Sequence, residues 1–332
     1  MTLDPSNMHR MIADFPLQFA KGFDLALKTE VRTPVERVIL TGMGGSALAG
    51  DLVNAAFAED ITTPLLISRN YTIPFPLDDK TLVIANSFSG NTEETLSAYD
   101  QALESGAQVI AMASGGRLLE RAMKDGVQYI KTIKESSDFQ PRMSSGYIFA
   151  ILTALLIKAG HLPWVSEKQV REMADWLASV NTELPGKQLG ESLFGTIPLV
   201  YASDAYWPVA RIAKIKLNEN SKIPAFWNTF PEINHNEMVG FTNTRDNYRV
   251  VILRDPDDDP RANKRMEITA EVLRGQGIGL KATIWDMMGR SRLEKIFSTL
   301  GVMDWSSYYL AQRMGIDPTP VKLVEDFKAL LK

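Results

Sequence analysis

Val38-Ile39-Leu40-Thr41 runs into Gly42-Met43-Gly44-Gly45-Ser46, and further on Leu82-Val83-Ile84-Ala85 runs into Asn86-Ser87-Phe88-Ser89-Gly90-Asn91-Thr92. Each apolar run ends in a turn of glycines and hydroxyl-bearing residues, and each turn opens a helical pattern, 47–58 and 93–105. A strand, a small-residue turn and a helix together present backbone N–H groups and hydroxyls to an anion at the helix N-terminus. Two such turns in one α/β sheet point to a phosphorylated small molecule as ligand.

Outward from these turns the alternation continues. Strands are expected at 38–41, 64–68, 82–86, 108–113 and 127–130, with helices at 16–27, 47–58, 93–105 and 117–124. Apolar strands that alternate with helices indicate an α/β fold, a mostly parallel sheet flanked by helices. Pro141-Arg142 opens an apolar helix over 143–159, with proline near its first turn. The apolar stretch 147–157 is too short to span a bilayer and reads as a buried helix, so no membrane partner is expected. Gly160-His161-Leu162-Pro163 stops it. A polar helix at 167–182 and a bridge at 183–195 lead to a second half.

The second half repeats the theme with strands at 197–202, 249–253 and 280–285. Helices are expected at 207–218, 261–274, 291–300, 305–314 and 321–331. It lacks the glycine and serine signature. Two domains follow, 1–165 with the phosphate turns and 166–332 with other functions, as the length of 332 residues also suggests.

Composition narrows the chemistry. The formal net charge of −4 argues against nucleic acid as a partner. There is no cysteine, which removes disulfides, thiol nucleophiles and cysteine metal sites and fits the cytoplasm. The three histidines, His9, His161 and His235, form no HExxH or HxxxH pair, so no metal site is expected. The N-terminus carries no basic segment followed by a long apolar run, and no signal peptide is read there.

Several residues could carry chemistry. Ser46, Ser87, Ser89 and Thr92 can each give a hydroxyl to phosphate, beside N–H groups of Gly45 and Gly90; turn and N-cap chemistry uses the same residues. No Gly-Lys-Ser/Thr follows the first turn, and GxGxxG is out of register, so neither a Walker loop nor a dinucleotide site is indicated. Glu219, at the end of an amphipathic helix among amides and ahead of aromatics, could serve as a general base or be a solvated helix-end carboxylate. His235 sits in a polar loop, Pro231-Glu232-Ile233-Asn234-His235-Asn236-Glu237, and could shuttle protons with Glu232 or Glu237 orienting its ring; a surface histidine is the alternative. Arg142 at a helix start is placed against the dipole, which makes sense if it faces an anion. Otherwise it is a surface arginine paired with Asp138 or Glu135.

Gly42-Met43-Gly44-Gly45-Ser46-Ala47, Ser87-Phe88-Ser89-Gly90-Asn91-Thr92-Glu93-Glu94-Thr95, Asn218-Glu219-Asn220 and Asn234-His235-Asn236-Glu237 resemble the bifunctional phosphoglucose/phosphomannose isomerases over nearly the whole chain. The serine-rich turns are shared with sugar isomerase (SIS) domains generally; the Glu219 and His235 segments are more specific. The resemblance implies two SIS domains, a homodimer, and an active site between domains that the neighbouring subunit's histidine enters. It implies that Ser46, Ser87, Ser89 and Thr92, with the Gly44 and Gly45 turn, hold a hexose 6-phosphate. By the same resemblance Glu219 is the base between C1 and C2, His235 helps open the ring, and Arg142 steadies a cis-enediolate. Thr319, between Pro318 and Pro320, matches the threonine that tolerates both C2 epimers. Lys328, or alternatively Lys322, matches a lysine of the last helix. No metal or redox cofactor is implied.

The expected activity is therefore aldose–ketose isomerisation of glucose 6-phosphate and mannose 6-phosphate with fructose 6-phosphate. Other readings are an amino-sugar or heptose phosphate isomerase, and a sugar-phosphate sensor without turnover. The sensor is disfavoured because the residues before the first strand are not basic enough for a DNA-binding module. A dinucleotide-dependent dehydrogenase is more distant still.

Overall fold

The computed structural model describes residues 3–331 except 245, 276 and 277. A short helix, α1 (Met8–Ala13), comes first, then α2 (Leu17–Ala26), β1 (Arg37–Thr41), α3 (Gly45–Ala56), β2 (Leu66–Ser68) and β3 (Thr81–Asn86). They are followed by α4 (Glu93–Glu104), β4 (Gln108–Ala113), α5 (Gly116–Lys124), β5 (Gln128–Lys131), α6 (Ser145–Lys158) and α7 (Glu167–Ser179). Strands β1 to β5 form one sheet in the order β2-β1-β3-β4-β5, and every pairing is parallel. β3 and β4 are buried at every position, which is why both read as unbroken apolar runs rather than alternating ones.

β1 connects through α3 to β2 on one side, whereas β3 connects through α4 to β4 on the other. The direction of winding reverses between β1 and β3, the kind of switch point at whose carboxyl ends open α/β sheets bind ligands. Both glycine- and serine-rich turns leave from the carboxyl ends of these two strands. On one face Val83, Ala85 and Val109 pack with Leu96 and Tyr99 of α4 and Leu118 of α5. On the other, α6 is buried from Ser145 through Leu156, and Phe149 stacks on Phe57 with ring centroids 5.7 Å apart. Each buried valine, leucine or phenylalanine among them contributes about 1.5–3 kcal/mol. Among the described residues no helix is long and apolar enough to cross a membrane.

The chain continues through α8 (Glu183–Leu193), β6 (Ile197–Ser203), α9 (Trp207–Asn220), β7 (Phe226–Phe230), α10 (Glu237–Gly240) and β8 (Tyr248–Arg254). It ends with α11 (Pro260–Arg274), β9 (Lys281–Asp286), α12 (Arg292–Arg313) and α13 (Lys322–Leu330). The second sheet has the order β7-β6-β8-β9, again all parallel, with its own reversal between β6 and β8. Helix α11 caps it over Tyr201, Val250 and Ile252 through Met266, Ala270 and Leu273.

Several elements differ from the sequence expectation. The stretch read as a bridge at 183–195 is helix α8, although Gly186 and Gly190 disfavour a helix. Those glycines lie against α12: a Cβ at Gly186 would come within 2.8 Å of Val302 O, and Ser306 Oγ donates to Gly186 O at 3.0 Å. The two helices expected at 291–300 and 305–314 are one 22-residue helix, because Gly301 to Asp304 are buried and Asp304 pairs with Lys216 of α9 at 2.6 Å. Strand β7 was not expected; it is an edge strand with Phe226 exposed.

The chain divides into two compact units, Asp14–Ala178 and Met1–Ala13 with Ser179–Lys332, rather than at 165/166. Helix α1 belongs with the later residues because the His9 ring packs edge-on to Trp305 and Tyr308, with centroids 4.8 and 5.7 Å apart. Helix α7 stays with the earlier ones: Arg171 pairs with Asp24 at 2.9 Å, and Val170, Met173 and Leu177 are buried.

Candidate active site

In the unit Asp14–Ala178 the two turns are bonded to each other. Ser46 Oγ accepts from Phe88 N at 3.1 Å, and fully buried Asn86 donates through Nδ2 to Ser46 O at 2.7 Å. Ser87 Oγ accepts from Gly90 N at 3.0 Å and Thr92 N at 3.4 Å, and lies 2.8 Å from Thr92 Oγ1. A hydroxyl whose oxygen accepts an N–H is polarised and presents its own hydrogen to a further acceptor. Helices α3 and α4 begin without a side-chain cap; in α3 the Ser46 and Ala47 N–H groups turn back to Met43 O and Gly44 O at 3.0 and 3.1 Å, while the first turn of α4 keeps helix-end N–H groups of the kind that bind anions. Gly44 has φ +50° at the start of α3, a backbone region that favours glycine. Ser89 is exposed at the tip of the second turn and bonds only weakly, accepting from Asn91 N at 3.3 Å.

Arg142 lies beside the first turn. A Cβ on Gly45 would stand 3.1 Å from Arg142 N and 3.0 Å from the Pro141 carbonyl carbon, tight enough that the 141–143 turn would have to give by a few tenths of an ångström. Arg142 is 3 % exposed, which rules out the surface arginine considered above. Its segment is held by Gln18, a residue the sequence reading passed over. Gln18 is buried on α2, donates to Met143 O at 2.7 Å and accepts from Gly146 N at 3.1 Å, capping α6. A polar residue on the apolar face of α2 was the one available signal.

In the other unit Glu219 sits half-buried in the last turn of α9. Its flanking amides are spent on structure: Asn218 Nδ2 donates to Ile223 O at 2.9 Å, and buried Asn220 donates to Ser307 Oγ at 2.9 Å. Lys222 Nζ donates to Glu219 O at 2.5 Å and to Pro318 O at 3.0 Å, so the Glu219 and Thr319 segments are joined. Thr319 is 2 % exposed. Lys328 lies exposed on α13, which buries no residue, and Lys322 pairs with Asp326 at 2.7 Å.

His235 is exposed, and among the described residues its ring forms no hydrogen bond. Neither glutamate expected to orient it does so. Glu232 accepts from Asn236 Nδ2 at 2.6 Å, while Glu237 accepts from the Tyr201 hydroxyl and, at 2.5 Å, from Asn228 Nδ2. Asn234 donates to Thr269 Oγ1 at 2.8 Å. The loop is trussed on both sides of the exposed histidine.

The winding reversal of the second sheet is closed by its own side chains. Lys295 Nζ donates to Asp255 at 2.6 Å and to Asp257 at 2.5 Å, Tyr206 donates to Asp255, and Ser203 donates to Asp258. Burial pushes the Asp255 carboxyl up, but the bonds from Lys295 and Tyr206 outweigh it and hold it below the ordinary carboxylate value. Among the described residues no three histidine or acidic side chains are grouped as for a metal ion.

The fold and these turns define a two-domain sugar isomerase architecture. Residues 33–156 match the SIS domain family, and residues 182–331 match the bacterial phospho-glucose isomerase C-terminal SIS domain family. A solved hypothetical protein from Thermus thermophilus superposes with a TM-score of 0.75 at 17 % identity, over 96 % of this chain and 88 % of that one. A bifunctional phosphoglucose/phosphomannose isomerase of Caldicellulosiruptor bescii is 37 % identical over 97 % of this chain and 98 % of its own. One of Aquifex aeolicus is 32 % identical over 90 % of this chain and 92 % of its own. The chain belongs to the bifunctional phosphoglucose/phosphomannose isomerase family.

Proposed function

We propose that this protein interconverts glucose 6-phosphate and mannose 6-phosphate with fructose 6-phosphate. The observation that carries the reading is the pair of cross-bonded turns at the β1/β3 reversal, with Arg142 backed against Gly45. Family membership supplies the substrate class.

The turn residues Gly44, Gly45, Ser46, Ser87, Ser89 and Thr92 hold the 6-phosphate, whose binding energy orients the reacting end. His235 moves the proton that opens the ring. Its exposure on a braced loop supports delivery to the neighbouring subunit of a homodimer. Glu219 then takes the proton from C2 of the open aldose. The C–H electron pair becomes the C1–C2 double bond, and the carbonyl oxygen takes the negative charge. Arg142 stabilises that charge in a buried setting, where it acts strongly. A proton passes from O2 to O1, Glu219 returns its own to C1, and the ketose forms. One carboxylate contributes about 10²–10⁴-fold in this way. Thr319 admits either C2 epimer, Lys328 assists ring opening, and the route needs no metal because Arg142 meets the developing charge.

The test is a coupled assay on fructose 6-phosphate with EDTA present, reading glucose 6-phosphate and mannose 6-phosphate separately. Both products are expected. Folded protein that binds sugar phosphate and forms neither product would overturn the reading in favour of a sensor or an amino-sugar enzyme.

A further inference from the structure

We propose that Lys222 is a positioning residue that sets the Glu219 carboxylate against the Thr319 turn; this rests on the roles given above to those two residues. Lys222 has φ +58°, a region that lysine rarely adopts and that costs backbone energy. The conformation turns its ammonium back over the end of α9. There it donates to the carbonyls of Glu219 at 2.5 Å and Asn220 at 3.5 Å, and across to Pro318 at 3.0 Å. Pro318 directly precedes Thr319 in sequence.

A carbonyl at a helix end normally finds water or a cap. Here one cation serves the last turn of a helix and a distant proline-bounded turn at once. The same end of α9 is also anchored to α12, through Ser221 Oγ to Ser307 O at 2.7 Å and Asn220 Nδ2 to Ser307 Oγ at 2.9 Å. Lys222 is therefore not needed to keep the helix in place. What it ties together is the residue assigned as base and the residue assigned to accept both epimers. Lys222 is itself exposed, so no burial of its own explains its conformation.

Lys222→Asn and Lys222→Gly both tolerate the left-handed backbone while removing the ammonium, which separates the cation from the strain. A misplaced reacting group can cost about 10–100-fold in rate, and a fall in kcat of that size is expected. The KM for fructose 6-phosphate should stay within about twofold, because the phosphate-holding turns are untouched. The ratio of mannose 6-phosphate to glucose 6-phosphate formed should change, and Lys222→Arg should restore much of both kcat and ratio. An unchanged kcat and product ratio in folded Lys222→Asn would overturn the proposal while leaving the isomerase reading intact. So would loss of rate with an unaltered ratio and no rescue by arginine. Glu219→Gln is the control: if it keeps near-native kcat, the base assignment falls and takes this proposal with it.

Discussion

Gly45 and Arg142 are held backbone to backbone, so closely that a Cβ on Gly45 would stand 3.1 Å from Arg142 N. Gly45→Ala must push the 141–143 turn away, since the opposing atoms are main chain and cannot rotate aside. Overpacking of this kind costs about 1–3 kcal/mol. A lowered urea midpoint together with a reduced kcat/KM is the expected result. A reduced kcat/KM at full stability would mean that the methyl group obstructs ligand instead.

The serines of the second turn should separate under mutation. Ser87 Oγ accepts from Thr92 N and from Gly90 N, and Gly90 N also reaches Ser87 O at 2.9 Å, so Ser87→Ala leaves only Thr92 N short of its partner and costs about 0.5–1.5 kcal/mol of stability besides affinity. Ser89 is exposed and bonded only to its own turn. Ser89→Ala should keep the native melting temperature and raise KM for fructose 6-phosphate. Thermal unfolding and steady-state kinetics on the two variants decide this, and an unchanged KM in Ser89→Ala removes that residue from the phosphate site.

Glu237 braces the His235 loop onto β6 and β7 through Tyr201 and Asn228. Glu237→Ala should lower kcat with glucose 6-phosphate by about tenfold as the histidine loses its aim. In a His235→Ala background the same change should have no further effect on kcat, because the two act on one step. Additive losses in the double mutant would show that Glu237 works independently of the histidine.

Stability against pH should carry the mark of the Asp255–Lys295 pair. Burial opposes both charges, yet their mutual bonds lower the Asp255 pKa and raise that of Lys295 in the fold. The aspartate contribution is fully present above the unfolded value of about 4 and is lost as pH falls through the lower folded value. The lysine contribution is present below about 10.4 and is lost as pH rises through the higher folded value. Denaturant midpoints measured across pH should thus be insensitive to this pair between those limits. Lys295→Met should cost about 3–5 kcal/mol at neutral pH by stranding a buried carboxylate.

The part of the fold that could be read directly is the part set by local pattern. β4 falls at 108–113 as expected, because an apolar run with clear turns at each end leaves one solution. Helix α8 and the middle of α12 depart from the expected bridge and break, and each contains glycine, which local propensity disfavours in a helix. In both places it marks close helix packing, which no local rule reveals. The same division runs through the site. The hydroxyl-rich turns announce themselves, since their chemistry and their spacing lie in one stretch of chain. Gln18, Asn86 and Lys222 do not, because each acts on a backbone group far away in sequence or on a neighbouring turn.

The closed reversal in the second sheet has a consequence for how the two halves respond to substrate. On the proposed reading the first half takes its anion from outside, so its native state should gain stability by mass action as ligand concentration rises. In the second, Asp255 is an anion tethered to the chain, present at constant effective concentration and already neutralised by Lys295. The proposed site thus ties the first half to metabolite supply, while the anion of the second is in place from the moment it folds. Hydrogen exchange with added fructose 6-phosphate should therefore slow at the amides of α3 and α4 well before those around α12.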